Sequence, residues 1–123
     1  MTLAEIHARL GNTAMLFALA LGLWGLWLYL RKQPPSDSYF GGMVIGEILF
    51  VAQAVAGGAL YLSRRTLGAA EPVHILYGAL ALITLPAAYA YLRTQNTRRE
   101  SLMLGLAGLF LFGVALRAIT TAR

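Results

Sequence analysis

The chain has 123 residues, 59% of them hydrophobic and only 12% charged, against roughly 25% charged in an ordinary soluble domain. That balance cannot coat a soluble surface and is the opposite of what disorder requires. Cysteine is absent, which removes disulfides, thiolate metal sites and thiol catalysis. Ten Lys and Arg against five Asp and Glu leave a net charge of +5, which in so apolar a chain belongs at lipid headgroups and not on nucleic acid.

A helix needs about 20 apolar residues to cross a hydrocarbon core of about 30 Å. Four segments meet that length, at about 7–30, 39–63, 72–93 and 100–119. The first is uncharged from Gly11 onward and ends in Trp24, Trp27 and Tyr29. The second carries a single charge, Glu47, and the third begins with Pro72, a residue tolerated in the first turn of a helix. Pro86 is expected to kink the third. The fourth is uncharged from Ser101 to Leu116, with Arg117 able to snorkel to the far interface. Thr2-x-x-Glu5 and Thr97-x-x-Glu100 have the spacing of capping boxes at the starts of the first and fourth helices.

The connections are short: residues 31–37 with Pro34 and Pro35, which cannot continue a helix, then 64–71 and 93–99. Backbone amides cannot go unpaired in lipid, so the expected fold is all-α, a single transmembrane domain over residues 1–123 formed as an antiparallel four-helix bundle. The apolar N-terminal stretch is too long for a leader peptide and Glu5 dilutes its positive end, so it is expected to stay as a span. The expected setting is a multi-pass protein of a bacterial or archaeal inner membrane. Arg9, Arg64, Arg65, Arg117 and Arg123 lie on one face and Arg31, Lys32, Arg93, Arg98 and Arg99 on the other, so the positive-inside rule assigns no orientation.

The informative feature is an internal repeat. Ile6-His7-Ala8-Arg9-Leu10-Gly11 aligns with Val73-His74-Ile75-Leu76-Tyr77-Gly78, and the same two helices close with Tyr29-Leu30-Arg31-Lys32-Gln33 and Tyr91-Leu92-Arg93-Thr94-Gln95. Two fused hairpins of this kind have equal orientation and a pseudo-two-fold axis along the membrane normal. His7 and His74, the chain's two histidines, then share one membrane face and one depth. Four and seven residues on stand Gly11 and Ala14 in one copy, Gly78 and Ala81 in the other, and helix one extends its stripe through Ala18, Gly22 and Gly25. Two imidazoles facing each other above small residues suit a flat macrocycle ligated on both sides, and haem iron accepts such nitrogens. Arg9 and Arg117, with Arg64 and Arg65, are placed to pair with its propionates. The plainer reading is that small residues only let membrane helices approach and that the histidines are interfacial.

Glu71-Pro72-Val73-His74 resembles the acid-x-x-His motif of heme A synthase, and four spans with two histidines resemble one half of that enzyme or small b561-type cytochromes. The likeness covers a few residues around each histidine. Neither histidine is followed by the family's Arg, and they stand on spans one and three, where the family's halves carry them on two and four. The resemblance implies haem b ligation by His7 and His74 and an acid role for Glu71.

Helix two sets Glu47 and Gln53 inside the membrane, Glu47 roughly 10 Å from the interface opposite the histidines. Val51, Ala54 and Gly58 share its face, so it is expected to point at another helix. A carboxyl at that depth costs several kcal/mol if ionised and is a functional candidate, for a proton relay, a quinone contact or a cation, unless it is protonated and bonded to a neighbouring helix. Small multidrug exporters carry their essential Glu in the first span, which here has no acid. The expectation is a b-type haem protein passing electrons, alone or as a subunit of a respiratory or photosynthetic complex. The alternatives are a cofactor-free accessory subunit docked on other membrane subunits or on its own copies, and a small transporter or proton pathway using Glu47. Catalytic residues are not assigned, since no nucleotide loop, nucleophile or carboxylate pair is present.

Overall fold

The computed structural model describes residues 2–64, 71–92 and 97–121. Its elements are four helices, α1 (Leu3–Leu30), α2 (Asp37–Arg64), α3 (Glu71–Leu92) and α4 (Arg98–Thr121), with no strand among the described residues. Each helix contains a stretch long and apolar enough to cross a membrane. The expected connections beyond Arg64 and Leu92 lie outside the described residues, as do Arg65, Arg93, Arg123 and the side chains of Arg64 and Glu71. The second repeat's closing residues, Arg93 to Gln95, fall there too.

Local chemistry sets the helix ends. Thr2 caps α1 in extended geometry, its Oγ1 accepting from the Glu5 amide at 3.2 Å. Ser36 caps α2 in the same way, accepting from the Tyr39 amide at 3.1 Å. At the far end of α1, Gln33 N–H donates to Leu28 O and Lys32 N–H to Tyr29 O, the paired bonds of a Schellman motif. The motif requires a left-handed residue, and Lys32 takes it with φ 59° although it carries a side chain. Lys32→Gly is therefore expected to raise stability by about 0.5–1 kcal/mol, relief of Cβ strain exceeding the entropy that glycine adds to the unfolded chain. Equilibrium unfolding in detergent checks it, and a loss of stability would mean that the lysine side chain holds a contact worth more than the strain.

At α4 the expected capping box is half made. Thr97 Oγ1 accepts from the Glu100 amide at 3.4 Å, but Glu100 does not answer it. Its side chain is 1% exposed, and neither carboxyl oxygen has a hydrogen-bond partner among the described residues. The sequence placed Glu100 at the interface; the fold turns it into the bundle, where the positive end of its own helix offsets part of the cost of burial. Its neighbour Ser101 donates to Gln33 O at 2.7 Å, and Arg98 Nε donates to Tyr29 O at 2.9 Å with its guanidinium over the Tyr29 ring. The start of α4 is thus fastened to the end of α1.

α1 packs most extensively on α4, while α3 on α4 and α1 on α2 share smaller seams and α2 meets α3 least. α1 and α3 stand diagonally across the ring so formed. The α1–α4 seam is glycine on glycine. A Cβ on Gly25 would lie 2.6 Å from Gly105 Cα, and one on Gly108 would lie 2.7 Å from Gly22 N. Ala18, Gly22 and Gly25, read from the sequence as room beneath a cofactor, are instead buried in this helix contact. Below Ala14 the plainer reading of the stripe holds. Tyr39 locks α2 onto α1 from the side, its hydroxyl donating to Leu21 O at 3.0 Å and its ring edge-on to Trp24. α3 runs helical through Pro86, whose missing N–H leaves the Leu82 carbonyl without its usual donor.

Candidate functional site

A cavity of about 710 Å³ opens between the four helices at the end of the bundle that holds the starts of α1 and α3. This volume falls within the range of small-molecule and cofactor sites. All four helices line it, with His7 and Gly11 from α1, Phe50, Gln53 and Gly57 from α2, His74 and Gly78 from α3, and Ala118 from α4. The space exists because the helices spread here while the facing residues stay small. A Cβ on Gly78 would meet nothing within 4 Å.

The two histidines, 67 residues apart in sequence, meet across the diagonal of the bundle. Their ring centroids are 6.2 Å apart and their planes nearly perpendicular, at 83°. His74 Nδ1 lies 2.7 Å from the Ala118 carbonyl oxygen. A carbonyl only accepts, so Nδ1 carries the proton and Nε2 keeps its lone pair. This is the outer-shell bond by which metal-binding histidines are usually held. The His7 ring lies against α2 within hydrogen-bonding reach of the Gln53 backbone, and its Nδ1 is buried without a close hydrogen-bond partner among the described residues. Its Cε1 stands 2.9 Å from where a Cβ of Gly57 would be, so the ring occupies space that only glycine leaves open.

Gln53, expected as an isolated intramembrane polar residue, belongs to this site. Its Nε2 sits 2.9 Å from the Cβ position of Gly11, and its Oε1 is buried and unpartnered. Gly11 and Gly78 therefore both bound the cavity, Gly11 by admitting the Gln53 amide and Gly78 by leaving open space. Arg9 and Arg117, expected at propionates, do not line the cavity, and both are exposed. The reason is helical phase: Arg9 is about 200° round α1 from His7, and Arg117 about 100° round α4 from Ala118. Glu71 lies outside the described side chains. Phe50 and Gly57 were missed as site residues. The Gly57-Gly58 pair was the available signal, since consecutive glycines in a long apolar helix mark a place where something approaches the backbone closely.

Comparison with protein-family models, curated proteins and solved structures finds no match to this chain. The site is therefore read from its own chemistry. Among the described residues no three His, Cys, Asp or Glu side chains gather as a metal cluster.

Glu47 is elsewhere, half-buried in a separate cleft between α2 and α3 with its Oε1 out of reach of any partner. The residues expected on its face, Val51, Ala54 and Gly58, are exposed, so Glu47 marks the edge of the helix seam and not its centre.

One substitution isolates the role of the glycine under His7. In Gly57→Ala the new methyl must displace the ring, so the His7 imidazole resonances are expected to shift while the bond from His74 to Ala118 persists. Histidine-selective nitrogen-15 spectra in detergent check this; unchanged His7 resonances would mean that the ring does not rest on α2.

Proposed function

We propose that this chain is a small multi-pass membrane protein, an antiparallel bundle of two related helical hairpins, that holds one haem b between His7 and His74 and passes electrons. The observation that carries the reading is the meeting of the two imidazoles, 6.2 Å between centroids, at a cavity floored by glycine and alanine. That separation leaves room for one metal ion between the two rings, and His7 and His74 would be the residues that hold it. Perpendicular ring planes are compatible with this, because each ring turns freely about its own metal–nitrogen axis.

The donor set fits the group. His74 would offer Nε2 with its tautomer set by Ala118, and His7 would offer an imidazole nitrogen from the opposite wall of the same cavity. When bound, haem supplies a reversible one-electron couple whose potential follows its axial ligands, burial and outer-shell bonds. The chain's own part is to orient two imidazoles, to keep the cavity largely apolar, and to place Gln53 and Tyr61 as polar side chains at its wall. The bond to the Ala118 carbonyl fixes the His74 ring and makes its imidazole more electron-rich, which would favour the oxidised form of a bound haem.

Membrane insertion rests on four helices of sufficient length and apolarity and on an outer surface that carries Leu16, Leu23, Val44, Ile48, Leu76 and Phe110 exposed. The hairpin repeat rests on the matching places of the two histidines near the starts of α1 and α3. A second reading, a cofactor-free accessory subunit docked through its small-residue stripes, keeps the α3 stripe at Gly78, while Ala18, Gly22 and Gly25 of α1 are buried against α4 within the chain. The test is a visible absorption spectrum of the detergent-purified protein from haem-replete cells. A Soret band with paired low-spin features on reduction is expected, and a colourless preparation that takes up no added haem overturns the reading.

A further inference from the structure

We propose that the cleft at Glu47 is a binding site for a lipophilic organic monocation, a single aromatic or aliphatic ring bearing a substituted ammonium group. The cleft has a volume of about 320 Å³, at the small end of the range for ligand sites, and lies in the loosest seam of the bundle, between α2 and α3. Its walls are Phe40, Met43, Val44, Leu85 and Tyr89, and its polar feature is one carboxyl whose Oε1 is buried and unpartnered.

Three physical arguments narrow the occupant. Glu47 stands ten residues into α2 from Asp37, about 15 Å along the axis and roughly 10 Å inside the interface, below the plane of the lipid headgroup amines. An inorganic cation would need several oxygen ligands, and the cleft supplies a carboxyl and at most the Tyr89 hydroxyl. Phe40 and Tyr89 meet edge to face, with centroids 5.5 Å apart, so one ring face remains to be offered to a ligand while the other ring holds it in place. A carboxylate beside aromatic faces in an apolar cleft is the chemistry that recognises substituted ammonium ions, whose weak hydration also lets them enter a membrane. Gly41 bounds the cleft without a Cβ and with nothing within 4 Å of where one would be, which keeps the mouth open.

The experiment is a scintillation-proximity measurement with tritiated benzyltrimethylammonium on the whole protein in phosphatidylcholine nanodiscs. Saturable binding is expected, weakened at least tenfold in Glu47→Gln, which preserves shape and removes the charge. It is expected to be weakened equally in Gly41→Leu, which fills the mouth and keeps the carboxyl. Neopentylbenzene, the neutral counterpart of the probe, is expected not to displace it. Absence of saturable binding, equal binding by Glu47→Gln, or displacement by the neutral compound overturns the proposal. Circular dichroism confirms that each variant is folded. The readout involves neither histidine nor haem, so the outcome is independent of the electron-transfer reading.

Discussion

Replacing His74 by alanine is expected to abolish the low-spin Soret spectrum of the haem-loaded protein while leaving its helix content unchanged. The substitution removes the Nε2 donor and the bond from Nδ1 to the Ala118 carbonyl together, leaving the iron one protein ligand, on α1. Losing an outer-shell partner alone typically lowers metal affinity 10–100-fold, so the loss of an axial ligand is expected to exceed about 100-fold in haem affinity. The cost to the apoprotein includes one hydrogen bond, on the order of 1 kcal/mol, at a half-buried side chain that lines a cavity. His7→Ala is expected to act alike from the opposite side, and the two together no worse than either alone in the spectrum. Haem titration followed at the Soret maximum measures both. A spectrum unchanged in both single variants would end the bis-histidine reading; Tyr61, the other side chain lining the cavity with an atom that can ligate haem iron, would then be the residue to substitute next.

The second large effect is on the α1–α4 seam. Gly25→Ala is expected to destabilise the protein by roughly 2–3 kcal/mol. The new methyl would stand 2.6 Å from Gly105 Cα and 2.7 Å from Gly105 N. These are backbone atoms, with no flexible side chain to swing aside, so the helices themselves must separate. Separation also strains the bonds from Ser101 to Gln33 O and from Arg98 to Tyr29 O at the same end of the seam. Gly113→Ala is the matched control. Nothing lies within 4 Å of its Cβ position, and replacing a mid-helix glycine there is expected to stabilise by about 0.5–1 kcal/mol. Equilibrium unfolding of both variants in mixed detergent gives the comparison, and equal stabilities would show that the glycine contact is not what holds α1 to α4. Because α1 and α4 each supply a wall of the histidine cavity, the Gly25 variant is also expected to loosen haem binding without touching a ligand.

The two histidines were legible as a pair from their matching sequence surroundings, and in the structure their ring centroids lie 6.2 Å apart. What the sequence match could not do was assign each small residue its neighbour. Gly11, Ala14, Ala18, Gly22 and Gly25 form one continuous stripe in sequence, yet in the fold it divides. The upper part borders the cavity and the lower part is pressed on α4. Glycine records only that something comes close; a side-chain amide at Gly11 and a backbone at Gly25 leave the same mark. Glu100 shows the same limit in a polar residue. Its spacing from Thr97 fits a capping box, but whether a first-turn carboxyl folds back on its own helix or turns inward depends on what stands beside it.

Composition and hydropathy by themselves determined the number of helices, their approximate ends and their apolar character, because these depend on local propensity and on transfer from water, which each segment carries within itself. The tertiary structure alone decided which helices stand side by side and which face across the diagonal. It also decided where the bundle closes on glycine and where it opens, that Gln53 and Gly57 join the histidines, and that Glu47 faces a cleft of its own. Those outcomes follow from the distances between backbones of different helices, a quantity that no single segment encodes.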